Sequence, residues 1–106
     1  MTKDQFISIA GWQNITFGHA TALSKMAHLV EEVQELVTAL QNNDQSKRIE
    51  FADCFILLFG AAASDGMSYD DICLAIDEKM SINYKRSWGK IEENGVVHHT
   101  KEGSKP

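Results

Sequence analysis

Proline is all but missing from this sequence: among 106 residues there is one, Pro106, and it is the last. No helix inside the chain can therefore be broken by a proline ring. Cysteine is nearly as sparse. Cys54 and Cys73 both sit in apolar stretches without metal-type spacing, and they read as two buried, reduced thiols. Basic charge is also short, with 10 Lys and Arg against 15 Asp and Glu and a net charge of −5. Such a chain lacks the basic footprint that nucleic-acid backbones and anionic membranes require, while a small anion escorted by a divalent cation stays open. The longest uncharged apolar run, Cys54 to Ala63, is about half of what a bilayer span needs. Met1 to Ala10 has neither the basic flank nor the apolar run of a signal peptide, so the expected location is cytoplasmic.

What is present fits one globular domain, with 43% apolar and 24% charged residues. Four helical segments are expected, with no strand-like alternation. The first runs from about Asp4 to Trp12 or a little beyond, with Gly11 and Gly18 bracketing a break and a loop over Asn14 to His19. The second spans Thr21 to Gln41, where Leu23, Met26, Leu29, Val30, Val33, Leu36, Val37 and Leu40 recur at core-facing helical steps. Asn43 or Asp44 is placed to cap a third helix over Gln45 to Ala63. From Phe51 onward that helix is apolar on all sides except at Asp53, as expected of one surrounded by other helices. Ser68 and Asp71 resemble a capping box opening a fourth helix through about Ser87. From Gly89 the chain is polar and reads as a loose tail, so the domain is taken as residues 1–88 and the tail as 89–106.

The chemistry lies in the acids. Helix two carries Glu31, Glu32 and Glu35, and helix three carries Glu50 and Asp53. Residues three or four apart share a helix face, and a short turn makes consecutive helices antiparallel neighbours, so the two acidic groups can face one another. An acidic pair on one helix is usually only a solvated face. Asp53 argues for more, because an ionised carboxylate amid Phe51, Ala52, Cys54, Phe55 and Ile56 is costly unless paired or metal-bound. Lys25 or Lys79 is the alternative partner in a purely structural account. The donor set is all oxygen, and no His follows any of these acids at i+3, which speaks against a di-iron bundle. Hard carboxylates suit Mg²⁺, with Mn²⁺ as substitute, and Mg²⁺ held by a few carboxylates completes its shell with water and phosphate. A phosphoanhydride is then the natural substrate class.

Lys79, Asn83 and Arg86 follow at steps of four and three on one stripe, suited either to phosphate oxygens or to a solvated helix end. Trp12, Phe17 and His19 surround the glycine-flanked loop, where aromatics can stack a nucleobase or simply plug the core. His98 and His99 are expected to be exposed and carry no assigned role.

Glu31-Glu32-x-x-Glu35, fourteen intervening residues, then Glu50-x-x-Asp53 resembles the motif of the all-α nucleotide pyrophosphohydrolases, which include MazG, dimeric dUTPases and phosphoribosyl-ATP pyrophosphohydrolase. Trp12-Gln13 with Phe17-Gly18 upstream, and Lys79-x-x-x-Asn83-x-x-Arg86-x-Trp88 downstream, extend the resemblance over about residues 11–88 and favour a MazG-like member. The resemblance implies an all-α, four-helix protomer with antiparallel helices in a homodimer or homotetramer. It implies that Glu31, Glu32, Glu35, Glu50 and Asp53 hold Mg²⁺ and orient the attacking water, that Lys79, Asn83 and Arg86 hold the triphosphate, and that Trp12, Phe17, His19 and His28 shape the base and sugar pocket. The implied reaction releases pyrophosphate from (deoxy)nucleoside triphosphates, leaving the monophosphate, as nucleotide-pool house-cleaning. Two rivals stand beside it: hydrolysis of phosphoribosyl-ATP, and a non-catalytic helical protein whose acids bind structural metal or a partner.

Overall fold

The computed structural model describes residues 1–100 and contains four helices: α1 (Lys3–Thr16), α2 (Ala22–Gln41), α3 (Lys47–Ser64) and α4 (Tyr69–Lys85). Among the described residues there is no strand, only an isolated antiparallel bridge between Trp88 and His99. The chain forms two compact units, Met1–Tyr69 and the part from Asp70 onward.

In the first unit, α1 opens with a capping box. The Thr2 hydroxyl accepts the Gln5 N–H at 3.1 Å, and Gln5 Oε1 accepts the Thr2 N–H at 2.8 Å. The loop expected from Asn14 begins later, and the helix passes Gly11 and continues through Asn14 and Ile15 to Thr16. Tertiary packing accounts for this. Gln13 is fully buried and its Nε2 donates to the Ile56 carbonyl at 2.7 Å, a bond that only a continued helix can aim. The propensity cost of Gly11 is only about 1 kcal/mol. The connecting loop shortens accordingly, and Thr21 caps α2 through a reciprocal bond pair with Ser24 at 2.9 and 3.1 Å.

α3 is the element on which both α1 and α2 pack. Lys25 Nζ at the start of α2 donates to Ser64 Oγ at the end of α3 at 2.6 Å, while Glu35 lies near Glu50 toward the opposite ends, so α2 and α3 run antiparallel as expected. The core is small: Phe6, Leu29, Leu36, Ala39, Leu57 and Ala61 in this unit are buried. Of the apolar stripe on α2, only Leu29 and Leu36 reach it. Leu23, Met26, Val30, Val33, Val37 and Leu40 stay exposed, because the apolar arc of α2 is wider than its contact with α3. α3 is likewise bare on one flank, where Phe51, Phe55 and Leu58 are exposed. The turn into α3 also differs from expectation. Asn43 adopts a φ of 48°, and Asp44 accepts the Ser46 N–H at 2.8 Å instead of capping the helix from the flanking position, which Ser46 occupies without a side-chain cap bond. That backbone hydrogen bond holds the Asp44 carboxyl below its ordinary range.

The second unit holds the rest of α4 and the chain beyond that helix. α4 starts directly after Ser68 and ends at Lys85, two residues short of the expected boundary. The expected loose tail is, up to Thr100, a folded hairpin. The Gly89 N–H bonds the His98 carbonyl at 2.9 Å, Thr100 N–H bonds Ser87 O at 2.8 Å, and Glu92 N–H bonds Val96 O at 2.8 Å. Asn94-Gly95 makes the reversal. Gly95 takes a φ of 85°, which only glycine adopts without strain, and Asn94 Oδ1 accepts the Val96 N–H at 3.0 Å. His98 pairs with Glu92 across the hairpin at 2.9 Å. The end of the tail, residues 101–106, lies outside the described residues. No single helix is long and apolar enough to cross a membrane.

Candidate active site

Glu32 and Glu35 stand one helical turn apart on α2, and Glu50 reaches toward them from the first turn of α3. One carboxylate oxygen from each lies within 4.8 Å of the others. Three like charges this close repel by more than any surface pair unless a cation or a proton lies between them. The Glu32 carboxyl shows the strain: its pKa is raised, first by a side-chain hydrogen bond with Glu35, then by burial and by the charges of Glu35 and Asp53, with His28 opposing. Glu50 Oε2 is buried without a hydrogen-bond partner. A converging all-oxygen set with an orphaned carboxylate oxygen fits a hard divalent cation. The neighbouring Cys54 is half-buried, and its thiol is pushed up by burial and then by the charge of Glu32, so it stays protonated beside the acids.

Two of the expected acids stand outside this trio. Glu31 is exposed on α2 and its carboxylate is not among the converging oxygens. Asp53 is exposed too, which corrects the expectation that its apolar neighbours bury it. Phe51 and Phe55 lie on the bare flank of α3 and Ala52, Cys54 and Ile56 are only half-buried, so the apolar neighbours of Asp53 in sequence do not enclose it. Nor does Lys25 serve as its partner: that ammonium is buried against Ser64 Oγ.

Asp53 and Glu32 instead share a cavity of about 160 Å³ with Trp12, Gln13, Phe17, His28, Ile56 and Leu57. Its aromatic wall is ordered by edge-to-face contacts. Trp12 and Phe17 meet at 5.4 Å and 80°, and Phe17 and His28 at 6.3 Å and 84°. His28 Nε2 lies 3.4 Å from Glu32 Oε1, joining this wall to the acids. Three of the four expected pocket residues are thus together, whereas His19 is exposed and not part of this lining. Gln13 belongs to the sequence motif but not to the expected site residues. The available signal is its position seven residues after Phe6, on the buried stripe of α1.

The basic stripe belongs to the second unit. Lys79 is exposed, Asn83 and Arg86 are half-buried, and the Arg86 N–H bonds Asn83 O at 3.3 Å, extending the helical turn past α4. Asn83 Oδ1 and Arg86 Nε are buried without partners.

Four helices, two of them antiparallel and gathering carboxylates beside an aromatic cavity, with no strand among the described residues, are the architecture of the all-α metal-dependent nucleotide hydrolases. A solved structure bears this out: the chain is similar to the MazG-like pyrophosphohydrolase of cyanophage S-2L, described bound to dGDP and three catalytic Mn²⁺ ions per active site, with a TM-score of 0.78 and 30% identity over 94% of this chain and 98% of that one. Residues 4–105 match the dATP/dGTP pyrophosphohydrolase family, and the chain belongs to it. Among its relatives, the dATP/dGTP diphosphohydrolase of Salmonella phage PMBT28 is 35% identical over 97 residues, covering 92% of this chain. That of cyanophage S-2L is 35% identical over 74 residues, covering 70% of this chain. The chain spans 31% of the first relative's length and 64% of the second's.

Proposed function

We propose that this protein hydrolyses deoxynucleoside triphosphates, purine ones foremost, to the nucleoside monophosphate and pyrophosphate, in a divalent-metal-dependent reaction that trims the nucleotide pool. The observation that carries the reading is the convergence of Glu32, Glu35 and Glu50 oxygens within 4.8 Å of one another. The names of the relatives, dATP/dGTP diphosphohydrolases, favour purines over pyrimidines.

In this reading Glu31, Glu32, Glu35, Glu50 and Asp53 hold Mg²⁺, or Mn²⁺ in its place. The bound ion neutralises phosphate charge and raises the acidity of the attacking water. The carboxylates accept the hydrogen bonds that aim this water at the α-phosphorus, in line with the departing pyrophosphate. Lys79, Asn83 and Arg86 donate to the triphosphate oxygens. Trp12, Phe17 and His28, which line the cavity, shape the base and sugar pocket together with His19. All of these lie within residues 1–88, the segment assigned as the catalytic domain.

The protomer works as a homodimer or homotetramer. Support comes from the exposed apolar residues of α2 (Val30, Val33, Val37, Leu40) and α3 (Phe51, Phe55, Leu58), more than an isolated protomer of this size leaves bare. A pool-trimming role places the protein in the cytoplasm, where its substrates are.

The test is product analysis by ion-exchange chromatography after incubation with Mg²⁺ and each common nucleoside triphosphate. Monophosphate with pyrophosphate, lost on chelation, is the expected result. Diphosphate with orthophosphate would mean the wrong bond has been assigned. Silence across the panel with turnover of phosphoribosyl-ATP would replace the substrate, and silence on both would favour a metal-binding interaction protein.

A further inference from the structure

Arg86 emerges from the end of α4, yet its guanidinium is met by a group from the far arm of the hairpin. Its Nη1 faces His99 Nδ1 at 3.5 Å, while its Nε is buried and unpartnered. His99 is itself fixed from two directions. It forms the antiparallel bridge with Trp88, flanked by the Gly89–His98 and Thr100–Ser87 backbone bonds at 2.9 and 2.8 Å. Its ring also stands edge-on to the Trp88 indole, with centroids 6.0 Å apart at 85°. Trp88 in turn donates Nε1–H to the Asn83 carbonyl at 3.1 Å. A closed ring of contacts therefore runs from Asn83 through Trp88 and His99 to Arg86, and returns to Asn83 through the Arg86 N–H at 3.3 Å.

The chemistry of the contact sets the role of the imidazole. A guanidinium only donates, so in this contact His99 Nδ1 is the acceptor. A free arginine side chain spreads over many rotamers, and holding one arm of the fork removes much of that freedom before a ligand arrives. Asn83 Oδ1, buried and unpartnered in the same unit, shows that the polar groups here are not yet fully engaged.

We propose that the C-terminal hairpin belongs to the phosphate-binding apparatus, with His99 as a positioning residue whose Nδ1 presets the Arg86 guanidinium for the triphosphate. This rests on the reading of Arg86 as a triphosphate ligand. It gives the chain beyond Trp88 a task, and it predicts that the loss of a single acceptor atom weakens substrate capture without touching the chemical step.

The experiment compares steady-state kinetics of the full chain with dGTP and Mg²⁺ for His99→Phe, His99→Asn and Arg86→Gln. His99→Phe keeps an aromatic edge against Trp88 and removes the acceptor. His99→Asn removes the ring but returns an acceptor oxygen near the Nδ1 position. The expected result is a KM raised roughly fivefold to tenfold in His99→Phe with kcat little changed, and a KM near the parent value in His99→Asn. Equal impairment in both variants would assign His99 a packing role and overturn the proposal. A raised KM in Arg86→Gln with an unchanged one in His99→Phe would overturn it while leaving Arg86 a phosphate ligand. An unchanged KM in Arg86→Gln would bring down the reading of Arg86 itself.

Discussion

The side chain of Gln13 occupies the space in which any side chain on Gly60 would have to sit. A Cβ built on Gly60 overlaps the Gln13 amide at Oε1, Cδ and Nε2 alike, and the same amide donates to Ile56 O from inside the core. α1 is thereby keyed to α3 by a polar group rather than by an apolar knob, at the wall of the cavity that Trp12 and Phe17 share with Glu32 and Asp53.

Gly60→Ala should therefore destabilise the protein by roughly 1–3 kcal/mol, although alanine is the better helix former. A thermal melt in the absence of metal measures it. Gln13→Ala in the Gly60→Ala background should recover part of the loss, because the added methyl then enters the space the amide leaves. A Gly60→Ala protein as stable as the parent would show that the two residues are not in contact.

Much of this site was legible in the sequence because it depends on periodicity. Glu32 and Glu35 share a face by helix geometry, and the five residues between Gln41 and Lys47 allow α3 only an antiparallel return that carries Glu50 back to them. What escaped depends on non-local packing. Asp53 has apolar neighbours in sequence, but two of them, Phe51 and Phe55, are exposed and the others do not close over it, so local composition misjudged its exposure. The hairpin after Trp88 is a separate case: its Asn94-Gly95 turn is a local signal, passed over because the surrounding segment is polar. Gln13 is a polar residue in a core position, and a hydrophobic pattern passes over it.

Glu50→Gln should leave the protein folded and nearly inactive. Removing one charge from a converging trio relieves repulsion, so the metal-free melting temperature should hold or rise. Changes in groups that merely support metal ligands cost about 10–100-fold, so loss of a ligand should lower turnover at least about a hundredfold. Melting and turnover measured on the same preparation decide it, and a Glu50→Gln enzyme with parental turnover would remove Glu50 from the site.

The raised Glu32 pKa has a sign that can be tested in metal-free protein. Folding holds the Glu32 proton above the ordinary value of 4.5, so the folded state binds more protons than the unfolded chain. The associated stability is fully present below that value and is lost as pH rises through the raised pKa. Mn²⁺ competes for the same oxygens, so its stabilising effect should grow over the same pH window. Melting temperatures with chelator and with Mn²⁺, taken at steps across this range, should diverge as pH increases. Parallel curves would mean that Glu32 and the ion do not share a site.

Because α2 and α3 leave apolar residues uncovered, the state of assembly should respond to charge placed on that surface. Phe55→Glu puts a carboxylate at a residue that is 56% exposed in the single chain, where a monomer would lose only the stacking on Phe59, about 0.5–1.5 kcal/mol. Buried in an interface, the same charge would cost several kcal/mol and shift the mass measured by light scattering toward the protomer.

Asp53 separates metal capture from mere proximity to it. It is exposed, so Asp53→Asn should leave the metal-free melting temperature within about 0.5 kcal/mol of the parent in stability terms. Its carboxylate lines the cavity beside Glu32 without joining the trio of converging oxygens, so its contribution depends on an ion that draws it in. Asp53→Asn should then weaken Mn²⁺ binding, read by titration of the ion's spin-resonance signal, and lower turnover by roughly tenfold to a hundredfold. An exposed acid at the far end of α3 serves as control: Asp65→Asn should change neither quantity. If Asp53→Asn binds Mn²⁺ as the parent does yet loses turnover, Asp53 acts on the water or the substrate rather than on the ion. If it keeps both, the site consists of the three glutamates without it.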